Sequence, residues 1–200
     1  VVPYLQERLA FESTPTTEYL TLLTTGIAES NLADLVGEPS EFLGSSSLAF
    51  LPNYQGVRMR IGATAASAED RRMELFRVRD LLIQRAGRFV FGEGEQTLAE
   101  VVGGLLKQRG ETLAVAESCT GGMLGAALTD VHGSSSWFMG GYITYANEAK
   151  VRDTGVATST LEQFGAVSQQ TVEQMSVGAR AVTGATYAIA VTGIAGPGGG

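Results

Sequence analysis

The pattern of apolar and polar positions in the first half of the chain predicts a small α+β domain. Val57, Met59 and Ile61 alternate with two arginines, which is typical of a strand with one buried face. Leu32, Leu35 and Val36 share one face of a predicted helix. The predicted strands cover residues 18–25, 47–51, 57–61 and 89–91, and the predicted helices cover residues 29–36 and 67–85. This order of elements predicts a split βαβ domain over residues 17–92.

The second half has a different pattern, in which strands alternate with helices. A helix with the inward stripe Leu98, Val101, Val102, Leu105 and Leu106 precedes a strand at 112–116. A strand at 137–145, short helices at 146–152 and 159–164, a helix at 169–183 and a strand at 186–191 follow. The last strand is almost wholly apolar, which favours a central position covered on both faces. The pattern predicts a three-layer α/β/α domain over residues 95–200.

The junction of the two domains and the ends of the chain are recognised by their glycine, glutamate and terminal residues. Gly92-Glu-Gly-Glu95 is the expected linker. The chain begins at Val1 without methionine and stops within a glycine-rich stretch. We therefore expect a fragment, in which residues 1–16 are the tail of a missing domain and the second domain is truncated at its C-terminal end.

Composition narrows the classes of function. The formal net charge is −7, which argues against nucleic-acid binding, and no apolar run is long enough to span a bilayer. One cysteine forms no internal disulfide and favours a cytoplasmic location. The single histidine, His132, and the absence of Cys/His ligand spacing predict no metal site, and we expect no cofactor.

The stretch Glu117-Ser-Cys-Thr-Gly-Gly122, directly after the strand at 112–116, is the first candidate site. Ser118 and Thr120 are residue types that cap helices, so the next helix is expected to begin here. A strand-turn-helix corner of this kind presents backbone N–H groups to an anion or to a developing oxyanion. Ser118 and Thr192 both follow strands, where α/β sheets bind ligands. From this stretch alone, a capped helix without function is the favoured interpretation, because S-x-T-G-G is not a fingerprint.

Several motifs together give the second domain its resemblance to a known family. They are Ala116-Glu-Ser-Cys-Thr-Gly-Gly122, Gly133-Ser-Ser-Ser136, Gly140-Gly-Tyr-Ile-Thr-Tyr-Ala-Asn-Glu-Ala-Lys150, Gly165-Ala-Val-Ser168 and Ala190-Val-Thr-Gly-Ile-Ala-Gly-Pro-Gly-Gly-Gly200. In this order they resemble the C-terminal domain of the CinA proteins, the family that includes nicotinamide-nucleotide amidase (PncC). The module at 17–92 resembles the KH-like middle domain of the same proteins.

The resemblance implies an enzyme that hydrolyses the amide of nicotinamide mononucleotide to nicotinic acid mononucleotide and ammonia. It points to Ser118 as nucleophile and Lys150 as base, and Tyr145 is a candidate proton relay beside them. A lysine acts as a base only when its pKa is lowered. Other interpretations of the same residues are a solvated helix lysine, a core tyrosine, and Cys119 as an intrinsically stronger nucleophile.

Substrate and partners follow from the same reasoning. Backbone and side-chain donors for the oxyanion or the nucleotide phosphate are expected at Thr120, Gly121, Gly122, Thr192, Gly193 and Gly196. Residues 198–200 are candidates for the phosphate, and so are residues 134–136, although a polar turn explains the latter more simply. Gly26-Ile-Ala-Glu29 departs from the G-x-x-G clamp of KH domains, which again argues against RNA.

The expected partner is therefore a small nucleotide, with neither nucleic acid nor membrane, and the family implies a homodimer. The alternative function is a non-catalytic nucleotide-binding module that regulates a missing N-terminal nucleotide pyrophosphatase.

Overall fold

The computed structural model describes residues 15–196, and its chain divides into two compact units between Leu98 and Ala99. Most of the predicted terminal segment 1–16 lies outside the described residues. The predicted linker, 92–95, lies a few residues before the division, and the N–H of Gly94 donates to the carbonyl of Thr21 in the first unit.

The first unit is an antiparallel sheet with helices on one face. Its strands are β1 (Thr16–Thr24), β2 (Ser47–Asn53), β3 (Gly56–Ala65) and β4 (Val90–Glu93), and its helices are α1 (Glu29–Val36) and α2 (Ala68–Ala86). The strand order β2-β3-β1-β4 is that of a split βαβ fold. Val57, Met59 and Ile61 are buried in its core, which confirms the predicted alternation.

The second unit is a parallel sheet between two helical layers. It contains β5 (Leu113–Glu117), β6 (Phe138–Ile143) and β7 (Tyr187–Val191) in the order β6-β5-β7. Its helices are α3 (Leu98–Arg109), α4 (Met123–Thr129), α5 (Asn147–Thr154), α6 (Thr158–Phe164) and α7 (Gln169–Thr183). The three-layer α/β/α class predicted from the sequence is therefore confirmed.

The two faces of β5 build separate cores. Leu113 and Val115 pack on one side with Leu106, Leu128 and Trp137. On the other side, Ala116 packs with Val156 of the connection after α5 and with two residues of α7. Since all five residues of β5 are buried, this strand is the centre of the unit, and its carboxyl end is where the candidate site begins.

Two predictions about this unit were wrong. The last strand was expected at the centre, but within residues 15–196 β7 pairs only with β5, and Tyr187 and Ile189 are exposed. In α3, Leu98 and Leu105 are also exposed, with 47% of Leu105 accessible. The buried face of α3 instead contains Ala99, Val102, Gly103 and Leu106. This stripe has the same helical spacing, and it is selected because the Trp137 ring packs on Gly103.

Candidate active site

The candidate nucleophile lies in a tight turn at the carboxyl end of β5. The Ser118 N–H donates to the carbonyl of Val191 at 2.9 Å, and the Ser118 carbonyl accepts from Gly121 N–H at 3.1 Å. Gly121 and Gly122 have φ angles of 60° and 101°, a region that disfavours side chains with a Cβ. The turn therefore requires glycines at these positions, and it leaves Ser118 buried beside the sheet.

The start of helix α4 differs from the prediction. Neither Ser118 nor Thr120 caps it, because the N-cap position is Gly122 and the helix begins at Met123. The capping group is the carboxylate of Glu117, the last residue of β5. It accepts hydrogen bonds from the N–H groups of Gly122 at 3.0 Å, Leu124 at 3.1 Å and Gly125 at 2.7 Å. Glu117 was not predicted as the cap, because a capping residue is normally found directly before its helix.

Because of this arrangement, the backbone N–H groups available to an oxyanion differ from those predicted. The N–H groups of Gly121 and Gly122 were predicted to face a ligand, but both are engaged inside the turn. No acceptor among the described residues is bonded to the N–H of Cys119 or Thr120. These two groups are therefore the donors that the turn leaves for a ligand.

The Glu117 carboxylate is 1% exposed and is held in its charged form. Burial raises the pKa of Glu117, but the nearby Thr120 hydroxyl and the three backbone N–H groups together bring it below its ordinary value. The Thr120 hydroxyl lies close enough for this effect, although it makes no regular hydrogen bond with a described residue. Thr120 therefore faces Glu117 inside the turn.

Lys150 extends from α5 to the same turn and is 1% exposed. Its Nζ donates to Ser118 Oγ at 3.1 Å, to the carbonyl of Thr144 at 2.7 Å and to the carbonyl of Tyr145 at 3.1 Å. No carboxylate of the described residues forms an ion pair with it. The structure thus brings Ser118 and Lys150 together, at the distance expected for a nucleophile and its base.

The environment of Lys150 makes its ammonium group easier to deprotonate. Burial lowers the pKa of Lys150, and the nearby Cys119 thiol opposes this only in part. The three neutral acceptors around Nζ compensate the buried ammonium less than a carboxylate would.

Tyr145 and Cys119 lie beside this pair in different ways. The Tyr145 carbonyl contacts Lys150, whereas its ring is 68% exposed and its hydroxyl has no hydrogen-bond partner within residues 15–196. The Cys119 thiol is half-buried and lies against Gly193, where an added Cβ would be 3.0 Å from the sulfur. The structure brings Tyr145 near the pair through its main chain, and it packs Cys119 against the neighbouring loop.

The other predicted residues lie partly at the carboxyl ends and partly at the amino ends of the parallel strands. Thr192 and Gly193 follow β7 at the same edge as Ser118, and the Thr192 hydroxyl donates to the carbonyl of Ala166 at 2.8 Å. Gly196 is the last described residue, with a φ of 121°, and residues 198–200 lie outside the described part. Residues 134–136 form a turn directly before β6, at the opposite edge of this parallel sheet, so they do not face Ser118.

Two further structural findings concern metals and membranes. Residues 15–196 contain no group of three or more His, Cys, Asp and Glu side chains that would hold a metal ion. None of the helices in this part of the chain has both the length and the apolar character needed to cross a membrane.

Comparison with known proteins agrees with the resemblance seen in the motifs. Residues 95–200 match the CinA C-terminal domain, and residues 20–92 match the KH domain of damage-inducible protein CinA. A CinA-like protein of Chlorobaculum tepidum is 47% identical over 90% of this chain and 43% of its own length. A CinA-like protein of Chloroherpeton thalassium is 43% identical over 100% of the chain and 47% of its own length.

Solved structures of the same family are also similar. The competence/damage inducible protein CihA from Agrobacterium tumefaciens is 50% identical, with a TM-score of 0.50 over 52% of this chain and 62% of that one. A CinA superfamily protein from Escherichia coli is 34% identical, with a TM-score of 0.51 over 52% and 60%. The chain spans about half the length of the curated relatives it matches. With both domains matched and relatives aligned along its length, the chain belongs to the CinA family.

Proposed function

We propose that this chain carries an amidohydrolase site in which Ser118 is the nucleophile and Lys150 is the base. The observation that supports it is the 3.1 Å contact between Lys150 Nζ and Ser118 Oγ, with the lysine buried and without a carboxylate partner among the described residues. A purely structural lysine would contribute little to stability in such a position, because burying an ammonium without an anion costs free energy. The same position is useful for a lysine that has to lose its proton.

The contacts of Lys150 also define where its lone pair points. An ammonium has three N–H groups, and the three contacts accept all of them. A neutral amine has two N–H groups, which the carbonyls of Thr144 and Tyr145 accept. The lone pair then points to the Ser118 hydroxyl, which donates its proton in the opposite direction. The two carbonyls therefore orient the neutral amine as a general base.

The reaction proceeds by acyl transfer and balances without a cofactor. Ser118 Oγ attacks the amide carbon while its proton passes to Lys150, and a tetrahedral oxyanion forms. The C–N bond then breaks, and the leaving nitrogen takes the proton from Lys150 and departs as ammonia. Water attacks the resulting ester and gives a proton to Lys150, which returns it to Ser118 Oγ as the carboxylic acid product leaves.

The turn supplies donors for the oxyanion. The N–H groups of Cys119 and Thr120 follow the nucleophile directly and have no bonded acceptor among the described residues. The N–H after a nucleophilic serine is a common oxyanion donor in hydrolases. Mutagenesis elsewhere values one such donor at about 100-fold or more in kcat. Gly193, across the Cys119 thiol, is a further candidate donor in the same loop region.

The substrate we propose is nicotinamide mononucleotide, as implied by the resemblance to nicotinamide-nucleotide amidase. The products are then nicotinic acid mononucleotide and ammonia. Thr192 and Gly196 lie in the loop after β7, at the edge of the sheet that carries Ser118, and are the proposed contacts to the nucleotide. Tyr145, whose carbonyl accepts from Lys150 Nζ and whose side chain is exposed, is the proposed proton relay.

The test is ammonia release from nicotinamide mononucleotide by the full-length protein, with three variants. Ser118→Ala is expected to abolish turnover and to keep substrate binding, because it removes only the attacking oxygen. Lys150→Arg is expected to be inactive, since a guanidinium stays protonated. Cys119→Ser is expected to keep most of the activity, because the thiol packs beside the pair without contacting it.

Other outcomes lead to different conclusions. An active Ser118→Ala protein together with an inactive Cys119→Ser protein would assign the nucleophile to Cys119. Binding of the nucleotide without ammonia release would favour the alternative, a non-catalytic nucleotide-binding module. In that case the Ser118–Lys150 contact would have no chemical use.

A further inference from the structure

Glu117 is a buried charge that the proposed reaction does not use. Its carboxylate is 1% exposed and has no Lys or Arg partner among the described residues. It accepts three backbone N–H groups at the beginning of α4, a helix of seven residues. Burying a carboxylate is an expensive way to begin a short helix, because a serine or aspartate at the N-cap would do so at the surface.

The carboxylate closes the turn that holds the nucleophile. The four residues Ser118, Cys119, Thr120 and Gly121 lie between the end of β5 and the first N–H that Glu117 binds, that of Gly122. The strand fixes one end of the turn and the carboxylate fixes the other. The orientation of Ser118 and of the Cys119 and Thr120 N–H groups therefore depends on the position of the Glu117 side chain.

The main chain of the same residue is connected to the base. The Glu117 carbonyl accepts the Thr144 N–H at 2.7 Å and lies 3.4 Å from the Thr144 hydroxyl, which donates to it. The Thr144 carbonyl in turn accepts from Lys150 Nζ at 2.7 Å. A displacement of residue 117 is thus transmitted to Lys150 through one fully buried threonine.

We propose that Glu117 is a positioning residue that sets the geometry of Ser118 and Lys150 together, its carboxylate through the turn and its carbonyl through Thr144. The inference rests on the proposed function, since it concerns the activation of that serine. Glu117→Gln has nearly the same shape, but its NH₂ group faces N–H donors and leaves at least one of them unpaired. A displacement of about 1 Å at the nucleophile is expected to lower kcat by about 100-fold, with little change in KM.

The experiment measures labelling of Ser118 by a fluorophosphonate, a serine-directed probe that does not depend on the natural substrate. The full-length protein is compared with Glu117→Gln and with a control, Thr112→Val. The Thr112 hydroxyl accepts from the Thr186 N–H at 3.0 Å before β5 begins, at the opposite edge of the sheet. The control therefore loses a comparable side-chain to backbone bond away from the site.

We expect Glu117→Gln to be labelled at least ten-fold more slowly and Thr112→Val at the wild-type rate. The acidic limb of the pH–rate profile of Glu117→Gln is expected at higher pH, because a loosened Lys150 regains water and holds its proton more tightly. A helix cap without a positioning role would lower the melting temperature but would leave both readouts unchanged.

The positioning role and the amidase function can fail separately. Wild-type labelling and an unshifted profile in folded Glu117→Gln would overturn the positioning role. If the wild type is labelled and Glu117→Gln is slow, but no ammonia is released, the positioning role stands and the amidase function fails. If the wild type is not labelled, Ser118 is not activated and both proposals fail. Should Glu117→Gln not fold, Glu117→Asp keeps the charge but falls one methylene short, and its labelling at the wild-type rate would overturn the inference.

Discussion

Gly103 and Gly104, two neighbouring glycines in α3, should respond differently to the same substitution. Gly103 is buried against the Trp137 ring, and a Cβ added there would lie 2.5 Å from Trp137 Cζ2 and 2.7 Å from Cε2. Gly104 is exposed, and a Cβ added there would have no atom within 4 Å. Gly103→Ala and Gly104→Ala are therefore a matched pair in one helix.

The structure gives the sign and size of the difference. Both substitutions gain about 1 kcal/mol of helix propensity, because alanine replaces glycine in a helix interior. Only Gly103→Ala forces an atom into a packed ring, and overpacking of this kind costs about 1–3 kcal/mol. The propensity gain cancels when the two variants are compared. We expect Gly104→Ala to be more stable than wild type and Gly103→Ala to be about 1–3 kcal/mol less stable than Gly104→Ala.

The assay is thermal or urea unfolding followed by tryptophan fluorescence. Trp137 is the single tryptophan of the chain and is 2% exposed, so its emission reports on the second unit alone. For a unit of about 100 residues, 1 kcal/mol corresponds to a shift of about 4–8 °C in the melting temperature. Equal melting temperatures for the two variants, or a more stable Gly103→Ala, would refute the packing of Trp137 on Gly103.

Four further predictions concern the site and the assembly. Ammonia release should rise with pH through the lowered pKa of Lys150, since only the neutral amine is a base; a rate that falls over this range would contradict the role. The stability that Glu117 contributes should be fully present above its ordinary, unfolded-state pKa and should be lost as pH falls through its lower folded-state pKa. In acid unfolding experiments, the stability of Glu117→Gln should therefore depend less steeply on pH than that of the wild type. Gly178→Ala should destabilise the second unit by about 3 kcal/mol in urea unfolding, because the new Cβ would lie 1.7 Å from the carbonyl oxygen of Thr154; wild-type stability would refute this contact. Light scattering should find a homodimer, as the family implies, and a monomer would count against it.

The sequence predicted the elements well where local signals agree with each other. The helix at residues 169–183 was predicted with the bounds that the structure gives, because Ser168 caps it and Gly184 ends it. The stripe of α3 was wrong because two overlapping sets of positions have helical spacing, and only the contact of Gly103 with Trp137 selects one. The place of β7 in the sheet was also wrong, since an apolar strand does not reveal how many neighbours it has.

The contacts of the candidate site also depend on the tertiary fold, which local sequence patterns do not reveal. The resemblance placed Ser118 and Lys150 in one site, and the structure gives their contact. The two residues are 32 positions apart in the sequence, and no local signal connects them. Glu117 was missed because its role depends on the path of the chain after Ser118, which folds back over the carboxylate. Thr144 was missed because it acts through its main chain, and a carbonyl is the same in every residue.

A buried lysine and a buried glutamate in the same corner usually indicate an ion pair, but here each is bound mainly to main-chain groups. Within residues 15–196, the Glu117 carboxylate accepts regular hydrogen bonds only from backbone N–H groups, and Lys150 donates to two carbonyls and one hydroxyl. If the two charges were paired, each would stabilise the other, and the pKa of Lys150 would rise. Keeping them apart lets the carboxylate stay charged while the amine can lose its proton. This division of donors and acceptors between the two side chains fits the proposed serine–lysine hydrolase site.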